Sequence, residues 1–150
     1  MKNLTKKSLV KKKPFFSIIT VVKNDEKNIS KTIKSIQKQN FKNFEYLVID
    51  GKSTDNTLKK ILNFKKIDVV ISEKDEGIYF AMNKGLKISK GKVILFVNSG
   101  DLITKNTLNI IYEKFKDPKI EFVFGTVRRH YIKDTILKYG FNLKKLNYNF

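Results

Sequence analysis

The sequence contains no cysteine, which excludes disulfide bonds, thiolate metal sites and a cysteine nucleophile. It also has no apolar run near the roughly 20 residues that a membrane-spanning helix needs. Residues 15–22 follow a charged start, but they lack the small-residue cleavage site of a signal peptide, so we predict a strand there. These absences predict a soluble or peripheral protein, and they are compatible with a reducing compartment.

Two standard phosphate-binding signatures are missing as well. Neither GxGxxG nor GxxxxGK[ST] occurs, which excludes the dinucleotide fingerprint and the P-loop. A bound nucleotide would need a metal ion or lysines to neutralise its phosphates. The formal charge of +18 predicts attraction to polyanions, including anionic membrane surfaces and phosphorylated ligands. Because every basic residue except Arg128 and Arg129 is a lysine, this charge partly reflects background composition, and we predict no specific nucleic-acid partner.

A length of 150 residues and a hydrophobic content of 41% predict one folded domain. We predict a basic flexible tail at residues 1–13, which leaves residues 14–150 as the domain. Strands are predicted at residues 15–22, 46–49, 67–71 and 93–97, with one or two more within 121–131. Segments of helical spacing follow the first four. Repeated βα units predict an α/β fold, a Rossmann-like and mostly parallel sheet with helices on both faces.

The apolar residues of these segments give a predicted core. On the first helix Ile29, Ile33 and Ile36 share one face. The apolar positions of the third helix are Ile78, Ala81, Met82 and Leu86. The uninterrupted run at 93–97 predicts a strand that is covered on both faces, with Phe96 in the core.

Polar residues follow three of the strands, at 23–26, 50–55 and 98–101. Since the carboxyl ends of parallel strands share one sheet edge, where ligands collect, we expect these loops to converge. Asp50 can accept hydrogen bonds from a base or a sugar there, although Ser53, Thr54 and Asp55 are also ordinary helix-capping residues. Asp101 follows what we predict to be the most buried strand. It is a candidate carboxylate for Mg²⁺ or Mn²⁺, but a capping or turn role is equally compatible with its position.

Four motifs occur in the order and spacing of a known family. They are FSIITVVKNDE, YLVIDGKSTDNT, GIYFAMNKG and GKVILFVNSGD. Together they resemble family 2 glycosyltransferases of the GT-A fold, in particular the NSGD-type bacterial enzymes of polysaccharide and O-antigen assembly. The resemblance implies transfer of a sugar, with inversion, from a UDP- or GDP-sugar donor to a glycan or lipid-linked acceptor in cell-surface polysaccharide synthesis. It also implies a cytoplasmic location, with the inner face of the membrane as one place of action.

The resemblance assigns roles to individual residues. Those implied to contact the nucleotide-sugar are Val21, Val22, Asn24, Asp50, Ser53, Asp55, Asn83 and Gly85. Asp101, assisted by Asn98, is implied to hold Mg²⁺ or Mn²⁺. Asn98 stands where the family has an acid, which predicts a lower metal affinity, and Met82 stands where many relatives have an arginine.

The acceptor part that supplies the general base in the family is predicted to be missing from residues 14–150. Glu113, Asp117, Glu121 and Asp134 follow the last motif, but none matches such a role, and the catalytic residue is left unassigned. Two functions stay open: a glycosyltransferase, or its donor-binding half, and a non-catalytic module for nucleotides or polyanions from a truncated or split gene.

Overall fold

The computed structural model describes residues 13–123 and 125. In this part of the chain, strands and helices alternate as predicted. The elements are β1 (Phe16–Val22), α1 (Ile29–Gln37), β2 (Phe44–Asp50), α2 (Thr57–Leu62), β3 (Val69–Ser72), α3 (Ile78–Ile88), β4 (Val93–Phe96) and α4 (Thr107–Lys114). The third strand begins two residues later than predicted, because residue 67 precedes the segment that pairs with β2.

The four strands form one parallel sheet in the order β3-β2-β1-β4. The chain moves outward from β1 to β3 and then crosses back to place β4 on the other side of β1. Right-handed crossovers therefore put α1 and α2 on one face of the sheet and α3 on the opposite face. The register sets Val22 opposite Asp50, so the loops that follow β1 and β2 start side by side. The predicted α/β fold is confirmed.

The face under α3 is closed by a small apolar cluster. Ile19, Val21, Leu47 and Ile49 pack there with Ala81 of the helix. Gly85 lies one turn further along, where a Cβ atom would lie 2.6 Å from Ile19 Cγ2. The glycine therefore lets α3 approach β1 closely.

A buried polar chain ties the centre of the sheet to its edge. Thr20 Oγ1 donates to the carbonyl oxygen of Val97 at 2.7 Å, so it accepts from the Tyr46 hydroxyl, 3.0 Å away. Burial raises the pKa of the Tyr46 hydroxyl, which stays protonated and able to donate. This chain fixes the residue at which β4 turns into its loop.

The core prediction is right for α1 and only partly right for β4 and α3. Ile29, Ile33 and Ile36 are fully buried, as expected. β4, however, is only partly buried, and Phe96 is 37% exposed. It is an edge strand of the described sheet. On α3, Ala81 is buried and Met82 packs against the core, as predicted. Ile78 and Leu86 are exposed, and Gly85 joins Ala81 on the buried face. An apolar run indicates that a segment tends to be buried, but the extent of burial also depends on which elements pack against it.

The remaining predictions concern the ends of the chain. Two compact units follow one another along the sequence, Met1–Leu108 and Asn109–Phe150. In the second unit, Lys116 pairs with Glu113 at 2.8 Å. Residues 121–123 form no strand, and the rest of the strand segment predicted up to residue 131 lies outside the described residues except for residue 125, which is not in a strand either. The tail up to residue 12 is likewise outside them. None of the described helices has the length and apolarity to cross a bilayer.

Gly91 provides a test of the packing at the amino edge of the sheet. A Cβ atom there would lie 2.4 Å from the backbone nitrogen of Ser17, and the Gly91 amide donates to Ser17 Oγ at 2.7 Å. We expect Gly91→Ala to lower the free energy of unfolding by about 1–3 kcal/mol, because backbone must shift to admit the methyl group. Urea unfolding measures this difference. Lys92→Ala, at an exposed neighbouring position, is the control, and equal midpoints for the two variants would contradict the packing.

Candidate functional site

A cleft of about 300 Å³ opens at the carboxyl edge of the sheet, within the size range of small-molecule pockets. Its lining residues come from the ends of β1 and β2, the β3–α3 loop and the start of α3. They are Val21, Val22, Lys23, Gly51, Asp75, Gly77, Ile78 and Ala81. The lining is mostly apolar, and Lys23 and Asp75 contribute its charged groups.

Gly51 separates these two charged side chains. A Cβ atom at Gly51 would lie 3.4 Å from the side chain of Lys23 and 3.5 Å from Asp75 Oδ2. The glycine therefore leaves a narrow space between the aliphatic part of the Lys23 side chain and the Asp75 carboxylate.

Asp50 lies beside the cleft and is fully buried. Its carboxylate accepts hydrogen bonds from the Ser53 amide at 3.1 Å and from the Ser53 hydroxyl at 2.5 Å. The Ser72 hydroxyl donates to Asp50 Oδ2 at 2.6 Å. Asp50 thus holds the turn in which Lys52 adopts a positive φ of 57°. Direct contact between Asp50 and a nucleotide stays a prediction.

The loops after β1 and β2 are joined by reciprocal hydrogen bonds. Asn24, at a φ of 50°, accepts the Thr54 amide at 2.8 Å and donates its own amide to Ser53 Oγ at 2.8 Å. The Glu26 amide donates to Asp55 Oδ2, and the Asn56 amide donates to Glu26 Oε2. The predicted site residues Asn24, Ser53 and Asp55 therefore come together, and the bonds they make in the structure are to each other's loops.

The same hydrogen bonds shift the acidity of two carboxyl groups. The Asn56 amide holds the pKa of Glu26 below its usual range. Hydrogen bonds from Thr57 lower the pKa of Asp55, whose Oδ1 accepts the Thr57 amide at 2.9 Å. Asp55 thus serves the start of α2, as the capping interpretation expected, although the N-cap residue itself is Asn56, whose side chain makes no capping bond.

The loop between β4 and α4 is anchored along α1. The Ser99 hydroxyl donates to Asp25 Oδ2 at 2.6 Å, and the Gly100 amide donates to Thr32 Oγ1 at 3.0 Å. Gln39 is fully buried and donates to the carbonyl oxygen of Thr104 at 2.7 Å. The sequence analysis missed this role for polar residues that lie beside the isoleucine face of α1.

Two of the residues on this loop are the metal candidates. Asn98 Oδ1 is buried without a hydrogen-bond partner among the described residues, whereas Asp101 is exposed and its amide closes a turn onto the Asn98 carbonyl at 3.0 Å. Asp101 does not follow the most buried strand, as predicted, because all seven residues of β1 are buried and β4 is an edge strand. Within residues 13–123 and 125 no group of three acidic, histidine or cysteine side chains is arranged so that it could hold a metal ion. One unpaired amide oxygen and one carboxylate fit a hard cation that takes its other ligands from a diphosphate and water.

The other predicted site residues fall in different places. Val21 and Val22 line the cleft. Asn83 is exposed on α3, and Gly85 is buried against Ile19, so neither lines it. Lys23 and Asp75 are the charged residues that the sequence analysis missed. Their signal was a position just after a parallel strand, at the edge where ligands collect.

The geometry agrees with comparisons to known proteins. The sequence profile described as Glycosyl transferase family 2 matches residues 17–149. The chain belongs to glycosyl transferase family 2. Family members are transferases, and the GT-A-like sheet found here is the architecture of the solved structures that resemble it.

Three similar proteins are informative. The UDP-Glc:alpha-D-GlcNAc-diphosphoundecaprenol beta-1,3-glucosyltransferase WfgD of Escherichia coli is 36% identical over 73% of this chain and 44% of its own length. The structure of Staphylococcus aureus TarS 1–349 in complex with UDP-GlcNAc has a TM-score of 0.63 and 32% identity, over 68% of this chain and 31% of that one. A mannosyltransferase from Pyrobaculum calidifontis, in complex with GDP-Man and Mn²⁺, shares the fold with a TM-score of 0.70 and 20% identity, over 79% of this chain and 36% of that one. The chain spans less than half the length of each.

The joined loops predict a local response to acid. A carboxyl group with a lowered folded-state pKa contributes stability above its unfolded pKa, and loses that contribution as the pH falls through the folded value. For Glu26 and Asp55 the ordinary values are 4.5 and 3.8. We therefore expect the amide protons of Glu26, Asn56 and Thr57 to lose exchange protection only as the pH falls below these ordinary values, while β1 amides stay protected. Hydrogen exchange by NMR measures this, and simultaneous loss at all these amides would contradict a local effect.

Proposed function

We propose that this chain binds the nucleotide-sugar donor of an inverting glycosyltransferase that acts in cell-surface polysaccharide synthesis. The observation that carries this proposal is the cleft at the carboxyl edge of the sheet, in a chain that belongs to glycosyl transferase family 2. Ligands of open α/β sheets bind at this edge. The joined loops after β1 and β2 hold its walls in place without a ligand.

The similar proteins support a uridine or guanosine diphosphate sugar as the donor. The name of WfgD specifies UDP-Glc, and TarS binds UDP and UDP-GlcNAc in solved structures. The Pyrobaculum mannosyltransferase was solved with GDP-Man. The acceptor we propose is a glycan or a lipid-linked glycan, in keeping with the diphosphoundecaprenol acceptor in the name of WfgD.

We assign different parts of the donor to the residues of the cleft and to those of the β4–α4 loop. Val21, Val22 and Ala81 offer an apolar surface for the nucleoside. Asn98 and Asp101 would hold a divalent cation, which neutralises the charge on the diphosphate leaving group when it is bound. An inverting transfer also needs a general base. Glu113 is paired with Lys116 and Asp117 Oδ1 accepts the Lys119 amide, so we assign the base to neither of them.

Calorimetry with UDP and GDP tests the proposal together with the metal. We expect both nucleotides to bind, and Mn²⁺ to raise their affinity because Asp101 would hold the cation that neutralises the diphosphate charge. Asp101→Asn should remove the gain from Mn²⁺ and leave the metal-free affinity unchanged. Asp117→Asn, at an exposed carboxylate outside the cleft, is the control. The same gain from Mn²⁺ in wild type and Asp101→Asn would contradict the assigned ligand, and no binding of either nucleotide would contradict the function.

A second candidate function, attachment to an anionic membrane surface, rests on a different feature. A groove of about 620 Å³ lies between α1 and the β4–α4 loop, and four lysines line it: Lys31, Lys34, Lys38 and Lys105. Among the described residues no acidic side chain lines it, and the neighbouring Leu102 is 61% exposed. Basic residues beside an exposed apolar side chain suit the boundary between lipid headgroups and acyl chains.

Vesicle sedimentation tests this second function. Each lysine near an anionic surface contributes about 1 kcal/mol, so replacing Lys31, Lys34 and Lys38 together by glutamine should weaken binding to phosphatidylglycerol vesicles by roughly a hundredfold. The same change at the exposed Lys59, Lys65 and Lys66 alters the net charge equally and is the control. An equal loss in both triple variants would show that net charge, and not the groove, drives binding.

A further inference from the structure

Asp75 is a buried carboxylate whose bonding is incomplete. Its side chain is 6% exposed, and Lys84 Nζ lies 2.6 Å from Oδ1. Asp75 Oδ2 is buried and has no hydrogen-bond partner within the described residues. A buried acceptor without a donor costs about 1–3 kcal/mol, and a charged one costs more, so native proteins rarely leave one in place without a function.

The position of Asp75 Oδ2 indicates where a hydrogen-bond donor from a ligand would lie. Asp75 lines the cleft, and Oδ2 lies 3.5 Å from the position of a Cβ atom on Gly51. Asp50, the other acid at this edge, is different, because Ser53 and Ser72 already occupy its oxygens. Asp75 is thus the carboxylate with free acceptor capacity toward a ligand in the cleft.

Lys84 holds the Asp75 carboxylate in this position. Its ammonium group bridges Asp75 at 2.6 Å and Glu73 at 2.7 Å, and these contacts raise the pKa of Lys84. The lysine therefore stays charged at neutral pH and donates from a fixed position. Its third N–H donates to the carbonyl oxygen of Lys74 at 3.3 Å, so Lys84 orients the Asp75 carboxylate and has no further N–H to offer a ligand.

An unpaired carboxylate oxygen is complementary to one kind of nucleobase edge. Uracil carries N3–H next to a carbonyl group, and guanine carries N1–H next to C6=O, so each offers a donor beside an acceptor. Neutral cytosine and adenine carry a lone pair on the corresponding ring nitrogen. A carboxylate facing that lone pair makes no hydrogen bond and stays desolvated, which is the larger cost.

We propose that Asp75, held by Lys84, accepts the ring N–H of the donor's base and selects uridine and guanosine diphosphates over cytidine and adenosine diphosphates. This inference rests on the proposed function and adds the residue that decides which nucleotides bind. It assigns the base contact to Asp75, whereas the motif resemblance implied a contact by Asp50.

Calorimetry with UDP, GDP, CDP and ADP tests the inference. For the wild-type chain we expect UDP and GDP to bind about ten- to a hundredfold more tightly than CDP and ADP, the effect of one hydrogen bond to a charged group. Asp75→Ala should weaken UDP and GDP by that factor and leave CDP and ADP unchanged. Asp75→Asn should narrow the preference for UDP over CDP, because its amide group can donate to N3 of cytosine. Glu76→Gln, an exposed acid of the same loop that does not line the cleft, should change nothing.

A modified ligand makes the test independent of how the variants fold. N3-methyl-UDP lacks the N–H and should bind the wild-type chain as weakly as CDP does. Equal affinity for UDP and N3-methyl-UDP, or an unchanged preference for UDP in Asp75→Ala, would overturn the role of Asp75 while leaving nucleotide binding intact. If none of the four nucleotides binds, the proposed function fails and this inference fails with it.

Discussion

The pairing of β1 with β2 on one side and β4 on the other is the constraint on which the rest of the structure depends. Every residue of β1 is buried, and its register with β2 sets Val22 opposite Asp50. The loops that leave these strands therefore begin next to each other at one edge of the sheet. From that start, reciprocal hydrogen bonds between Asn24, Ser53 and Thr54 need no long-range adjustment of the chain.

Two carboxylates at this edge of the sheet differ in their hydrogen bonding, and we infer different roles for them. Asp50 is enclosed, and Ser53 and Ser72 satisfy its oxygens, so it stabilises the turn that walls the cleft. The Asp75 side chain is also buried but keeps an oxygen unpaired toward the cleft within the described part of the chain. A carboxylate whose oxygens all accept hydrogen bonds makes the surrounding turn rigid. A buried carboxylate oxygen without a donor favours ligands that supply one, because the low dielectric makes that hydrogen bond strong. A preformed wall and an unpaired acceptor together are what a selective binding site requires.

Much of the fold followed from sequence patterns, and the site followed in part. The alternation of apolar runs and helical spacing predicted the βα order, and the spacing of Ile29, Ile33 and Ile36 predicted the buried face of α1 correctly. The apolar run in β4 predicted a fully buried strand and was wrong, because the sequence of one segment does not show how many strands and helices pack against it. Likewise, Asp50 ends β2 and Asp75 follows β3, and one of the hydroxyl groups that bonds to Asp50, that of Ser72, lies 22 residues away in sequence. Such long-range satisfaction of polar groups is decided by packing and is not visible in local spacing.

The central claim is that the cleft at the carboxyl edge binds a nucleoside diphosphate. The most direct measurement is a chemical-shift titration of the ¹⁵N-labelled chain with UDP. The account predicts that the largest shifts fall on the amides of Val22, Gly51, Asp75 and Gly77, which line the cleft. Shifts concentrated instead around Lys34 and Lys105 in the basic groove, with the cleft amides unchanged, would contradict it.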